Sequence, residues 1–243
     1  MQVNSNISEA TINSIVITGT SRGLGYELAK HFLNKGYLVS GCSRGDPTIN
    51  HQNYTHFSLD LSDETSVRKW SRAVKEKIGF IGTLVCNAGL VELGAVTGAT
   101  SFKDFKSFHN SIMMSTFLTC REFSKTMMLQ KYGRIINISS IMTEIHAEGT
   151  CAYASAKSAV NEFSRILAKE LIPFNITCNI ISPSLINTRS SKAFGDEWKD
   201  NMLGLQSIKK AIDPYEIAHI IEFFSSPQSA NITGQNLNTC FIG

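Results

Sequence analysis

Short β-branched runs alternate with longer segments of helical period along nearly all of the 243 residues. Ile15–Thr18, Tyr37–Ser40, Phe57–Leu59, Thr83–Cys86, Arg134–Ile138 and Ile176–Ile181 read as six strands, and Asn236–Phe241 as a seventh. Between them lie helical patterns near 23–35, 64–78, 102–130, 153–171 and 213–225. The alternation predicts an α/β protein: a doubly wound, three-layer fold whose seven-stranded parallel sheet is covered by helices on both faces. Each crossover is long enough for a right-handed βαβ unit. In an open sheet of this kind ligands bind outside the carboxyl ends of the strands. The loops after Thr18, Ser40, Leu59, Cys86, Ile138 and Ile181 should therefore converge on one crevice.

Composition narrows the picture. With 42% hydrophobic and 18% charged residues and no Pro- or Ser-rich linker, the chain reads as one catalytic domain over 13–243 behind a flexible polar tail, 1–12. The net charge of +3 comes from 23 basic and 20 acidic residues scattered along the chain, which argues against a nucleic-acid surface and leaves small anions open. Six cysteines are widely spaced with no C-x-x-C pair, so no metal site or redox motif is expected, only reduced core thiols. The first ten residues are polar, without the apolar segment of a signal peptide, and no stretch is long enough to span a bilayer. A cytoplasmic protein without a membrane partner is expected.

The loop Thr18-Gly19-Thr20-Ser21-Arg22-Gly23-Leu24-Gly25 lies directly after a strand and opens a helix. Glycines there let the backbone turn tightly and approach a pyrophosphate, whose charge is favoured by the free N–H groups of the helix. The spacing is G-x-x-x-G-x-G, different from the common G-x-G-x-x-G, and no Gly-Lys-Ser/Thr follows as in a P-loop. Downstream come Asp60-Leu61, Asn87-Ala88-Gly89, Tyr153-x-x-x-Lys157, and Pro183 with Thr188.

These motifs, in this order, resemble those of the short-chain dehydrogenases/reductases, 3-oxoacyl-carrier-protein reductases among them, from about residue 14 to the C-terminus. The resemblance implies a Rossmann-type fold with Gly19, Ser21, Arg22, Gly23, Leu24 and Gly25 around the cofactor pyrophosphate. It also implies Asp60 and Leu61 beside the adenine, and Asn87, Ala88 and Gly89 against the adenosine ribose. Pro183, Ile186 and Thr188 would hold the nicotinamide amide, and Tyr153 and Lys157 its ribose. Charge argues for which dinucleotide. The second strand ends Ser40-Gly41-Cys42-Ser43-Arg44 with no carboxylate to repel a 2′-phosphate, while Arg44 and Arg22 offer two charge-assisted donors, so NADP(H) is expected.

Tyr153 and Lys157 are four residues apart at the start of a helix, on one face. A free tyrosine titrates near ~10, and a neighbouring ammonium together with the positive nicotinamide ring of oxidised cofactor is expected to lower that value toward neutrality. Ser140, selected over Ser139 by the resemblance, would hydrogen-bond the substrate oxygen as it gains charge. The implied reaction is NADPH-dependent reduction of a carbonyl to a secondary alcohol in a small metabolite or acyl intermediate, Tyr153 giving the proton. Alternatives are an NADP-dependent alcohol dehydrogenase running oxidatively and a catalytically weak NADP-binding regulator. The fourth catalytic residue of many family members, an asparagine, is replaced by Ile112, with Asn110 two residues away, about 200° around an ideal helix. A substrate lid is expected near 189–210, and a homodimer or homotetramer through the helices 102–130 and 153–171 and the C-terminal strand.

Overall fold

The computed structural model describes residues 13–91, 94–188 and 195–242. Seven strands form one parallel sheet: β1 (Ser14–Thr18), β2 (Leu38–Ser43), β3 (Tyr54–Ser58), β4 (Thr83–Cys86), β5 (Gly133–Ile138), β6 (Ile176–Ser182) and β7 (Asn236–Asn238). Their order across the sheet is β3-β2-β1-β4-β5-β6-β7, so the winding reverses between β1 and β4. That reversal opens the crevice at the carboxyl ends of these two strands. The expected doubly wound, seven-stranded parallel sheet is what the chain forms.

Alternate strand residues feed two separate cores. Ile15, Ile17, Val85, Ile136 and Ile181 face α1 (Gly23–Asn34), meeting Leu28 and Phe32 there, together with Ile217, Ile221 and Phe224 of the C-terminal helix. Val16, Leu84, Ile135 and Cys178 face the other way, onto Val67, Trp70 and Val74 of α2 (Glu64–Ile78) and onto Phe123, Met127, Leu167 and Leu171. The period of two in the strands and of three to four in the helices thus makes three layers.

Local chemistry sets the helix starts. Asp63 caps α2 by accepting from Ser66 N at 2.9 Å, and Ser101 caps α3 (Phe102–His109) by accepting from Asp104 N at 3.1 Å. Further on come α4 (Ser115–Gln130), α5 (Met142–Ile145), α6 (Cys151–Leu171), α7 (Asp196–Leu205) and α8 (Pro214–Ser225). A capping box between Asp213 and Glu216, with Pro214 at the first helical position, opens α8. Glu222 of α8 pairs with His31 at 2.7 Å and Lys35 at 2.6 Å, tying α8 to the end of α1.

Four elements depart most from the sequence expectation. β2 runs three residues further, to Ser43, because it pairs with β3 as far as Ser43 opposite Ser58. β3 begins earlier and β7 is shorter than expected, as sheet pairing and not strand propensity sets their ends. The helix expected over 102–130 is interrupted by a π-turn at Asn110–Met114. The polar tail 1–12 and residues 189–194 of the expected lid lie outside the described residues.

Candidate active site

The carboxyl ends of β1, β2, β4, β5 and β6 surround a cleft of about 930 Å³. Its lining brings together Gly19, Ser21, Arg22, Gly23, Leu24, Arg44, Asp60, Leu61, Asn87, Ala88, Gly89, Ser140, Tyr153, Lys157, Pro183, Ile186 and Thr188. Of the expected catalytic and cofactor-binding residues, Gly25 alone is absent from this lining. It is buried in the first turn of α1, where a Cβ would fall 2.3 Å from the Gly19 carbonyl oxygen and 2.6 Å from Asn87 Nδ2. Gly25 therefore acts by letting helix and loop close on each other.

The glycine loop is locked to its neighbours through the backbone. Gly19 and Thr20 both donate to Cys42 O, at 2.9 and 3.1 Å, and Gly19 has φ +76°. Thr18 Oγ1 accepts from both Asn87 N and Ala88 N at 2.9 Å, and Asn87 Nδ2 returns a bond to Thr18 O at 3.0 Å. So Asn87 fastens β4 to β1 at the reversal of the sheet. The first turn of α1 has no side-chain cap and no acidic residue, which leaves its N–H groups and dipole facing the cleft. Arg22 and Arg44, on separate loops, flank the same end, and neither pairs with an acid among the described residues.

At the other end, Tyr153 and Lys157 extend from the first two turns of α6, and Ser140 follows β5. Lys157 Nζ donates to Ile138 O at 2.7 Å and lies 5.8 Å from the centre of the Tyr153 ring. Burial lowers its pKa to about 8. Burial also raises the pKa of the Tyr153 hydroxyl, against a smaller lowering by its hydrogen bond with Ser140. Lys157 by itself therefore does not produce the lowering expected from it together with the oxidised nicotinamide. The ammonium is turned toward the β5 backbone, so desolvation of the phenolate outweighs it. Ser140 Oγ also accepts from Met142 N at 3.2 Å, and its carbonyl accepts from Thr143 Oγ1 at 2.9 Å, which fixes the loop that presents it.

The π-turn alters the reading of Ile112. Its side chain is 1% exposed and packs with Phe108, Ala152, Ala156 and Val160, while its Cγ1 lies 3.1 Å from where a Cβ on Gly89 would stand. Asn110 and Ser111 both line the cleft despite the angle an ideal helix would put between Asn110 and Ile112. Ser111 Oγ donates to Phe108 O at 3.2 Å and accepts from Leu90 N at 3.3 Å, so a hydroxyl ties this helix to the loop after β4.

Several lining residues carried no motif: Leu90, Lys103, Lys106, Ser107, Met142, Glu148, Trp198 and Met202. The apolar spacing of Trp198 and Met202 on α7 was the only signal available for any of them. Asn179, which resembles part of the family segment at the nicotinamide, is structural here: it bonds Ile232 O at 2.8 Å and Gln235 N at 3.1 Å.

The cleft fits a dinucleotide on two observations. Its glycine loop is so close to α1 that a single Cβ would fill the gap, and two buried hydroxyls at its wall, of Ser139 and Ser184, have no hydrogen-bond partner among the described residues.

Comparison with known proteins agrees with this geometry. The sequence profile of the short chain dehydrogenase family matches residues 13–199. The 3-oxoacyl-acyl-carrier-protein reductase FabG of Vibrio cholerae is 28% identical over 229 residues, 92% of this chain and 93% of that one. The FabG of Buchnera aphidicola subsp. Schizaphis graminum is 30% identical over the same shares. Among solved structures, ElxO with NADP bound superposes with a TM-score of 0.86 at 26% identity, covering 93% of this chain and 96% of that one.

Proposed function

The chain belongs to the short chain dehydrogenase family, and from that premise we propose that it reduces a carbonyl to a secondary alcohol with NADPH as its hydride source. The observation that carries the reading is the convergence of Ser140, Tyr153 and Lys157 at one end of the cleft, with Tyr153 as the acid. Its hydroxyl is held above its ordinary pKa by burial, so it carries its proton at neutral pH, the form a general acid needs. Ser140 hydrogen-bonds that hydroxyl and is set by its own backbone contacts to orient the substrate oxygen beside it. Lys157, with a pKa of about 8, is mostly an ammonium at neutral pH, and its charge favours the phenolate left once Tyr153 has given up its proton. The family resemblance gives the same ammonium a second role, holding the ribose next to the nicotinamide.

The choice of NADPH rests on the two arginines at the adenosine end, on the absence of a carboxylate at the end of β2, and on ElxO, whose structures hold NADP and NADPH. The substrate is a small molecule or a carried acyl group entering between the loop after β4, the Ala147–Thr150 turn and α7. Among the described residues no helix is long and apolar enough to cross a membrane. The working form is a homo-oligomer, since Met114, Leu129 and Ile166 place exposed apolar side chains on the long helical arm formed by the π-turn, α4 and α6.

A panel of ketones and 3-oxoacyl thioesters, followed by loss of absorbance of NADPH, tests the activity. Turnover of at least one class is expected. Binding of NADPH without turnover of any carbonyl, together with oxidation of an alcohol by NADP+, would instead support the oxidative reading.

A further inference from the structure

We infer that His56, with Ser58 and Ser43, forms a clamp that holds Arg44 in position for the cofactor's 2′-phosphate, making β3 a determinant of dinucleotide choice. The inference rests on the NADPH reading above and extends it to residues that touch neither substrate nor catalytic groups.

Three side chains converge on one backbone oxygen, the carbonyl of Gly45, directly after Arg44. Ser43 Oγ lies 3.0 Å from it, His56 Nε2 3.0 Å and Ser58 Oγ 2.9 Å. A carbonyl oxygen has two lone pairs and no proton, so these groups can act toward it only as donors, and they share its two acceptor sites, with Ser43 Oγ also 3.1 Å from His56 Nε2. The residue before Arg44 is fixed as well: Leu59 N donates to Ser43 O at 2.9 Å. Arg44 is thus pinned through its neighbours on both sides while its own side chain stays exposed at the cleft. Further along the same loop, Thr48 Oγ1 donates to Ser21 O at 3.1 Å, which ties it to the glycine loop beside Arg22.

With Nε2 donating to the Gly45 carbonyl, Nδ1 of His56 is left to accept from the Tyr54 hydroxyl at 2.9 Å. Tyr54 in turn accepts from Thr20 Oγ1, 2.7 Å away in the glycine loop. A continuous chain of hydrogen bonds therefore runs from the glycine loop through β3 to the arginine loop. Gly41 makes room for it: a Cβ there would lie 2.2 Å from the Tyr54 hydroxyl and 2.4 Å from Thr20 Oγ1. An exposed arginine on a free loop must lose chain freedom when it grips a phosphate, and a pinned backbone has already lost it.

The test measures binding of NADPH and of NADH to the full chain by the fluorescence of the reduced nicotinamide, alongside thermal melting. His56→Leu is expected to weaken NADPH about five- to tenfold and NADH less than about twofold, with His56→Gln, which keeps a donor for Gly45, close to wild type. In an Arg44→Ala background, His56→Leu should have no further effect on NADPH, because a clamp that acts through the arginine has nothing left to position. Equal losses for both dinucleotides, or an undiminished loss in the Arg44→Ala background, would overturn the clamp. A wild-type protein that bound NADPH and NADH equally would instead remove the NADPH reading on which the clamp depends.

Discussion

At Lys157 stability and chemistry pull in opposite directions. The residue is 4% exposed, and burial lowers its pKa from about 10.5 to about 8. Below pH 8 the folded protein holds a charge that the unfolded chain would hold more easily, so the residue opposes folding there. Between pH 8 and 10.5 the folded state releases the proton that the unfolded state keeps, and stability rises with pH through that window. Lys157→Met should therefore melt higher than wild type near pH 7, by on the order of 2 kcal/mol after loss of the Ile138 hydrogen bond, and the gap should close toward pH 10. A methionine variant that melted lower at pH 7 would show that the ammonium is stabilising. That Ser140, Tyr153 and Lys157 meet in one cleft was legible in the sequence because their spacing in a strand-loop-helix context is specific. The sign of the tyrosine shift was not, because it depends on how deeply the helix is buried and on where the ammonium points, and both are set by β5.

Among the elements, the π-turn at Asn110–Met114 decides what Ile112 means. An apolar residue at that place suggests a broken catalytic set if the helix is imagined straight. In the actual helix the isoleucine packs against α6 and Gly89, while Asn110 and Ser111 face the cleft. Introducing Ile112→Asn would bury an amide in an apolar cluster, which costs about 1–3 kcal/mol. The expected outcome is a lower melting temperature with kcat changed by less than about threefold, and a tenfold rise in kcat would show that the missing asparagine limits the enzyme. A π-turn leaves no compositional mark, since the same residues fit either helix, which is why the sequence predicted one unbroken helix over 102–130. The clamp around Gly45 was hidden for a different reason. Tyr54, His56 and Ser58 alternate along β3 as any half-buried edge strand does, and only the pairing with β2 shows that they share a face with Ser43.

At the scale of the whole molecule, the alternation of strands and helices was enough to give the layers, the parallel sheet and the crevice. Strand order follows from few topological choices once the crossovers are right-handed. Chain ends and loop geometry follow from tertiary pairing and were less legible, as β2 and β7 show. The exposed apolar arm of α4 and α6 makes a prediction about assembly. Sedimentation at micromolar concentration should show a dimer or tetramer, and Ile166→Glu, which puts a charge on a side chain already 53% exposed, should shift it toward monomer without lowering the melting temperature of the fold itself. A monomeric wild type would contradict that arrangement.

The central claim is that Tyr153 supplies the proton and does not merely shape the cleft. Its most direct measurement is a comparison of Tyr153→Phe with wild type in two assays on the same preparations: NADPH binding and carbonyl reduction. The variant is expected to bind NADPH within about threefold of wild type and to lose about 10²- to 10⁴-fold in kcat. Reduction that persisted within a few-fold of wild type would contradict the assignment of Tyr153 as the acid.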